Sequence, residues 1–162
     1  MKNNIQIREF KKEDIKSIEA IYDLYWHDDF RERLSERLND FVNQTEDSVK
    51  QAFKYFVADK DGEVVGVAII RNLPERMKMY AESNNPAELY VIAVKYPNQG
   101  IGSLLREYII KEIKGLGYTE ILFFSGEMHK ESWKFHDDSG FKKVGESIAP
   151  NGEKGYIWQM AL

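Results

Sequence analysis

Between residues 87 and 113 the chain reads AELYVIAV, then KYPNQGIGS, then LLREYIIKEI. The first run is the most strand-like in the sequence, the second is a polar loop, and the third is amphipathic at helical spacing. Gly100 and Gly102 stand where that helix begins, although glycine in a helix costs about 1 kcal/mol relative to alanine. A physical reason is available. The first N–H groups of a helix have no partner inside it, and the helix dipole adds partial positive charge there. A loop that brings backbone close to such an end makes an anion site. Glycines remove the Cβ atoms that would block a phosphate, and Ser103 adds a hydroxyl donor. Without a ligand, the same segment is simply a tight strand-to-helix turn, and the glycine pair alone does not separate the two readings. GIGSLL lacks the third glycine of a dinucleotide fingerprint and follows a late strand rather than the first, and no G-K-[ST] occurs, so neither a Rossmann site nor a P-loop is expected.

The remaining pattern surrounds this unit with alternating elements. IQIREF predicts a first strand, and Asp14 is placed to cap a helix carrying Ile15, Ile18, Ile21, Tyr22 and Tyr25 on one face. Phe30, Leu34, Leu38 and Phe41 predict a second helix, and a short one is expected after Thr45. KYFVADKDGEVVGVAII is two apolar runs around Asp61-Gly62, a hairpin signal. Residues 71–86 read as an irregular polar connection. Ile101, Leu104, Leu105, Tyr108, Ile109 and Ile113 make a helical stripe ending near Gly115. YTEILFFS predicts a strand and HKESWKFHDDSG a short helix. FKKVGESI and GYIWQMAL predict two closing strands around a Pro-Asn-Gly turn. The order is β-α-α-β-β-β-α-β-α-β-β, which predicts one mixed α/β domain over residues 1–162.

With 43% apolar and 31% charged residues, the 162-residue chain has an ordinary globular composition. It has no cysteine, which excludes disulfides, thiolate metal sites and a cysteine nucleophile, and fits a reducing, cytoplasmic location. A net charge of −4 does not point to a nucleic-acid partner. Residues 1–14 carry no long apolar run, so neither a signal peptide nor a membrane span is expected there. His129 and His136 are seven apart and no H-E-x-x-H occurs, so no metal is expected. GYIWQMAL reads as a sheet edge, which a second copy could cover in a homodimer.

Three segments together resemble the GNAT superfamily of acyl-CoA-dependent N-acyltransferases. ELYVIAVKYPNQGIGSLL is similar to its cofactor motif, ESWKFHDDSGF to its later motif, and VADKDGEVVGVA to its central hairpin. The likeness covers nearly the whole chain in order and is weakest over residues 26–53. It implies a GNAT-type fold: a mostly antiparallel mixed sheet, splayed at the cofactor-binding strand and flanked by helices. It also implies acetyl-CoA as co-substrate. Main-chain N–H groups across Asn98, Gln99, Gly100, Ile101, Gly102 and Ser103 would hold the pyrophosphate, Ile92 and Val94 would meet the pantetheine arm through their main chains, and Ser132 would contact the cofactor. The chain departs from the family at Pro97, where Gln or Arg is usual. It departs again at His136, where a tyrosine is common and where a histidine resembles the phosphinothricin-acetyltransferase branch, and at His129, where an asparagine is common.

Acetyl transfer to an amine needs a neutral nucleophile, a stabilised oxyanion and a leaving thiolate. An alkyl ammonium of pKa about 10.4 is neutral in roughly one molecule in a few thousand at pH 7, so a base matters. Glu88 is the candidate base. By alternation it shares a strand face with Tyr90, Ile92 and Val94, and the histone-acetyltransferase branch has a glutamate there. The same carboxylate could instead be an exposed strand-start residue or attract a cationic substrate. His136 is the candidate general acid, or else a cofactor contact. Lys130 and Lys134 are candidates for the adenosine phosphate. Specificity should lie in residues 24–53 and 71–86, with Trp26, Phe30, Tyr80 and Tyr90 as an aromatic wall for a small primary amine. The contrasting expectation is an idle GNAT-fold module that binds acyl-CoA as a sensor.

Overall fold

Seven strands and five α-helices are present in the computed structural model, which describes residues 4–162. Met1–Asn3, at the head of the stretch read for a leader, lie outside the described residues. The strands are β1 (Ile5–Glu9), β2 (Lys54–Lys60), β3 (Glu63–Asn72), β4 (Pro86–Val94), β5 (Glu120–Gly126), β6 (Lys142–Ile148) and β7 (Lys154–Ala161). The helices are α1 (Ile15–Tyr25), α2 (Asp29–Val42), α3 (Glu46–Lys50), α4 (Ile101–Gly115) and α5 (Trp133–Asp137). The seven strands form a mixed sheet in the order β1-β2-β3-β4-β5-β7-β6. β4 and β5 are parallel, and β1/β2, β2/β3, β5/β7 and β6/β7 are antiparallel. Among the described residues no helix is long and apolar enough to cross a membrane.

The chain falls into two compact units. One holds the chain up to Arg71 together with Val91–Lys111; the other holds Asn72–Tyr90 and Glu112–Leu162. In the first unit Ile18, Ile21 and Tyr22 of α1, and Leu34 and Leu38 of α2, are buried as their spacing predicts. Asp28 caps α2 by accepting from Phe30 N at 3.1 Å, and Thr45 caps α3 by accepting from Ser48 N at 3.3 Å. Asp61 and Gly62 both take positive φ, +54° and +92°, the left-handed pair of a two-residue hairpin turn. On α4, Ile101, Leu105 and Ile109 are buried, whereas Leu104 is 38% exposed, so the apolar stripe is narrower than predicted.

Asp14 does not cap α1. It is buried, and its carboxylate accepts from Lys11 N at 2.8 Å and from both Arg8 terminal nitrogens at 2.9 and 3.1 Å. Burial pushes its pKa up, but the Arg8 hydrogen bonds and charge and the Lys11 amide outweigh this and hold it below the usual carboxylate value.

In the second unit the closing strand is not an edge. β7 pairs with β5 on one side and with β6 on the other, and the edge strand is the more polar β6. The dimer expected from an apolar β7 edge therefore loses its basis. The stretch 71–86 is also more ordered than predicted. β3 runs to Asn72 and a 3₁₀ turn covers Glu75–Tyr80. Leu73 and Met77 sink into a cluster with Leu122 and Ile157, because burying two apolar side chains outweighs the polar character around them. The helix predicted from HKESWKFHDDSG is shorter: Glu127–Ser132 is a 3₁₀ stretch kinked at His129, and only Trp133–Asp137 is α-helical.

Candidate active site

β4 carries the strand half of the candidate site, and its burial alternates as expected. Ala87, Leu89, Val91 and Ala93 are buried on one face, while Tyr90, Ile92 and Val94 on the other are half-buried. Glu88 shares that second face but is only 3% exposed. This removes the reading of an exposed strand-start carboxylate. The parallel ladder between β4 and β5 has three rungs, Pro86–Glu120, Ala87–Ile121 and Glu88–Leu122. β4 runs on past the last of them, so Leu89 and Tyr90 already lie beyond the ladder. Glu88 thus sits where the pairing of β4 with β5 stops.

In the first unit β4 leads into the glycine loop. Asn98 and Gly100 take φ of +64° and +80°. Asparagine is one of the few residues that tolerates the left-handed region, and glycine adopts it freely. Nothing in the protein lies within 4 Å of a Cβ placed on Gly100, so its conformation alone already calls for glycine. Gly102 falls inside the first turn of α4, and Leu104 N donates to Gly100 O at 3.1 Å. By helix geometry the N–H groups of Ile101, Gly102 and Ser103 have no carbonyl one turn back. The Ile101 side chain is 1% exposed, so Ile101 can meet a ligand only through its main chain. Asn98, Gln99 and Gly100 are exposed. Gln99 also lines an open hollow of about 390 Å³ with Lys60, Asp61, Glu63 and Tyr96.

A residue that sequence reasoning missed seats this helix. Gly66, in the middle of β3, lies under α4: a Cβ there would fall 2.8 Å from Leu105 Cδ1 and 3.3 Å from Ile101 Cγ2. Its signal was present, since an isolated glycine inside a strand pattern marks a close approach.

The aromatic residues separate into two groups. Trp26 and Phe30 meet edge-on at 5.7 Å, beside Tyr22 and Tyr25. Tyr80 belongs to the second unit, packed on the Leu73–Met77 cluster with its hydroxyl donating to Glu146 O at 2.6 Å. A Cβ on Gly145 would lie 2.6 Å from its ring. Tyr80 is therefore spent on packing within that unit.

The second unit also holds His136 and Ser132. His136 is 7% exposed, with ring contacts to Phe123 at 4.6 Å and Trp158 at 5.1 Å. Ser132 Oγ donates to His129 O at 2.8 Å and lies 3.3 Å from His136 Nε2. A hydroxyl has one proton, so while Ser132 gives it to His129 O it can only accept from an Nε2 that carries a hydrogen. Ser132, expected at the cofactor, is thus engaged with His136. Lys134 is exposed and pairs with Asp138 at 2.9 Å, while Lys130 is exposed.

Another unforeseen residue anchors the approach to β4. Glu120 is 1% exposed, and its carboxylate accepts from Glu82 N, Ser83 N, Ser83 Oγ and Gln159 Nε2 at 2.7–3.0 Å. Burial pushes its pKa up, but these donors together hold it below the usual carboxylate value.

The sequence profile of the acetyltransferase (GNAT) family matches residues 18–141. A GNAT-family protein from Desulfovibrio desulfuricans superimposes with a TM-score of 0.80 at 14% identity, covering 97% of this chain and 98% of that one. An aminoglycoside N(6′)-acetyltransferase from Legionella pneumophila gives 0.76 at 13% identity, covering 99% and 94%. PaiA N-acetyltransferase from Thermoplasma acidophilum, solved with coenzyme A, gives 0.67 at 18%, covering 98% and 99%. No curated protein matches the sequence. The chain belongs to the GNAT acetyltransferase family.

Proposed function

We propose that the chain transfers the acetyl group of acetyl-CoA to a primary amine of a small molecule, as one domain, in the cytoplasm. The observation that carries this reading is the parting of β4 from its ladder immediately after the buried Glu88, followed on the same strand by a left-handed loop into α4. A strand edge that parts from its neighbour has main-chain donors and acceptors to offer a ligand, and the loop delivers that ligand's anionic end to a helix N-terminus. The coenzyme A bound to the Thermoplasma protein supports the same co-substrate here. The aminoglycoside acetyltransferase supports a small amine acceptor, and the absence of cysteine fits a reducing compartment.

The main-chain groups from Asn98 to Ser103 hold the pyrophosphate. Ile92 and Val94 meet the pantetheine arm through their main chains, and Trp26, Phe30 and Tyr90 contact the acceptor. Glu88 takes the proton of the incoming ammonium, directly or through water. The amine nitrogen then attacks the thioester carbonyl, forming the C–N bond, while a β4 N–H steadies the oxyanion. The C–S bond breaks as the carbonyl reforms; His136 gives the Nε2 proton to the departing thiolate and takes up, through water, the second proton that the new amide nitrogen gives up. A thiol pKa of about 8.5 makes the transfer to sulfur the smaller contribution. The test is thiol release from acetyl-CoA against a panel of small amines. Release that depends on one amine class supports the reading, and coenzyme A binding without release with any amine supports an idle binding module instead.

A further inference from the structure

The last residue of α1 reaches across the first unit to the end of β4. Tyr25 Oη donates to Val94 O at 2.5 Å. The N–H of that same peptide group, Lys95 N just past β4, donates to Val65 O at 2.8 Å. The polar groups of successive strand residues point to opposite edges. If Lys95 N is directed at β3, the N–H and C=O of Val94 are directed at the other edge. Tyr25 therefore holds the peptide group at which the free edge of β4 gives way to the glycine loop. The ring is half-buried and lies tilted against Trp26, centroids 5.8 Å apart. Burial keeps the phenol protonated, by raising its pKa. α1 stops at this residue, because Trp26 turns to extended backbone at φ −128° and ψ 130°. The hydroxyl is thus placed by a helix end, not by a flexible loop.

We infer that Tyr25 is a positioning residue for the pantetheine arm: its hydroxyl, opposite the Lys95 N–Val65 O bond, clamps the peptide plane between Val94 and Lys95, so that the Val94 main chain faces the arm in one orientation. The inference rests on the acetyl-CoA reading above. A carbonyl oxygen has two lone pairs, so the Tyr25 bond orients the group without using up its capacity. The role is selective by construction. Tyr25 acts on the end of β4, whereas the pyrophosphate is held by the loop and α4, so its removal should be felt by the arm and not by the nucleotide.

The experiment compares two probes by calorimetry on wild type and Tyr25→Phe, which removes one oxygen and keeps the ring. The first probe is coenzyme A; the second is 3′-phosphoadenosine 5′-diphosphate, the same molecule without its pantetheine arm. In the variant the Kd of coenzyme A should rise about three- to tenfold, the range of one ordinary hydrogen bond. The Kd of the nucleotide should stay unchanged, and KM for acetyl-CoA should rise along with the Kd of coenzyme A. An equal loss for both probes would mean a general loosening of the unit and would overturn the inference. So would unchanged or tighter coenzyme A binding. Wild type that binds neither probe would bring down the acetyl-CoA reading itself, a failure visible before any variant is made.

Discussion

Gln159 on β7 donates through Nε2 to the carboxylate of Glu120 on β5 at 2.8 Å, fully inside the second unit. Glu82 N, Ser83 N and Ser83 Oγ donate to the same carboxylate, so one charge ties the stretch before β4 to two neighbouring strands. Glu120→Gln replaces one acceptor oxygen by an amide that faces donors. It should cost about 1–3 kcal/mol at pH 7, the penalty for spoiling buried charge-assisted bonds. The pH dependence has a definite sign. The folded-state pKa is depressed, so the stabilisation is complete above the unfolded value of about 4.3 and is lost as pH falls below it. Urea midpoints for wild type and variant should be well apart at pH 7 and converge as the solution is acidified below that value. A gap that does not change with pH would contradict the charged role.

Gly66 tests the seat of α4. Valine suits a strand, but its Cβ would fall within 3.3 Å of both Leu105 and Ile101, two fully buried side chains. Overpacking of this kind costs about 1–3 kcal/mol. Gly66→Val should lower the melting temperature and weaken coenzyme A binding together, because the helix that delivers the loop must shift. Gly66→Ala should show the same effects in smaller measure. A valine variant as stable as wild type would show that α4 does not depend on this contact.

His136→Phe keeps a ring between Phe123 and Trp158 and removes the proton. Turnover should fall toward the low end of the 10²–10⁴ range typical of general acid–base groups. Coenzyme A affinity should change little. Steady-state rates with calorimetry separate the roles: lost affinity with turnover preserved at saturation would make His136 a cofactor contact.

The local features were readable in the sequence, and the non-local ones were not. The Asp61-Gly62 turn, the Thr45 cap, the helical spacing of α1 and α2 and the face shared by Glu88, Tyr90, Ile92 and Val94 all depend on neighbours within a few residues. The place of β7 depends on which member of the β6/β7 hairpin meets β5, which no turn signal states. A clue existed in composition: GYIWQMAL is nearly continuous in apolar residues, as interior strands are, and KKVGES is polar, as edges are. Asp14 was misread because its carboxylate is taken by Arg8, which lies on the preceding strand. Glu120 was invisible because all its partners are at least 37 residues away in sequence. Leu73 and Met77 were hidden as isolated apolar residues in a polar stretch.

The most direct test of the account is the pH–rate profile of Glu88→Gln beside wild type, with the best amine from the thiol-release panel. Glutamine is nearly isosteric and cannot take a proton at neutral pH. A base at the end of the β4/β5 ladder predicts kcat/KM at pH 7 lower by about 10²–10⁴-fold. The deficit should shrink as pH climbs toward the amine's own pKa of about 10.4, where the substrate loses its proton unaided. Melting temperature, measured alongside, should account for none of that pH dependence. A variant profile parallel to wild type, in an equally stable protein with unchanged KM, would contradict the assignment of Glu88 as the base.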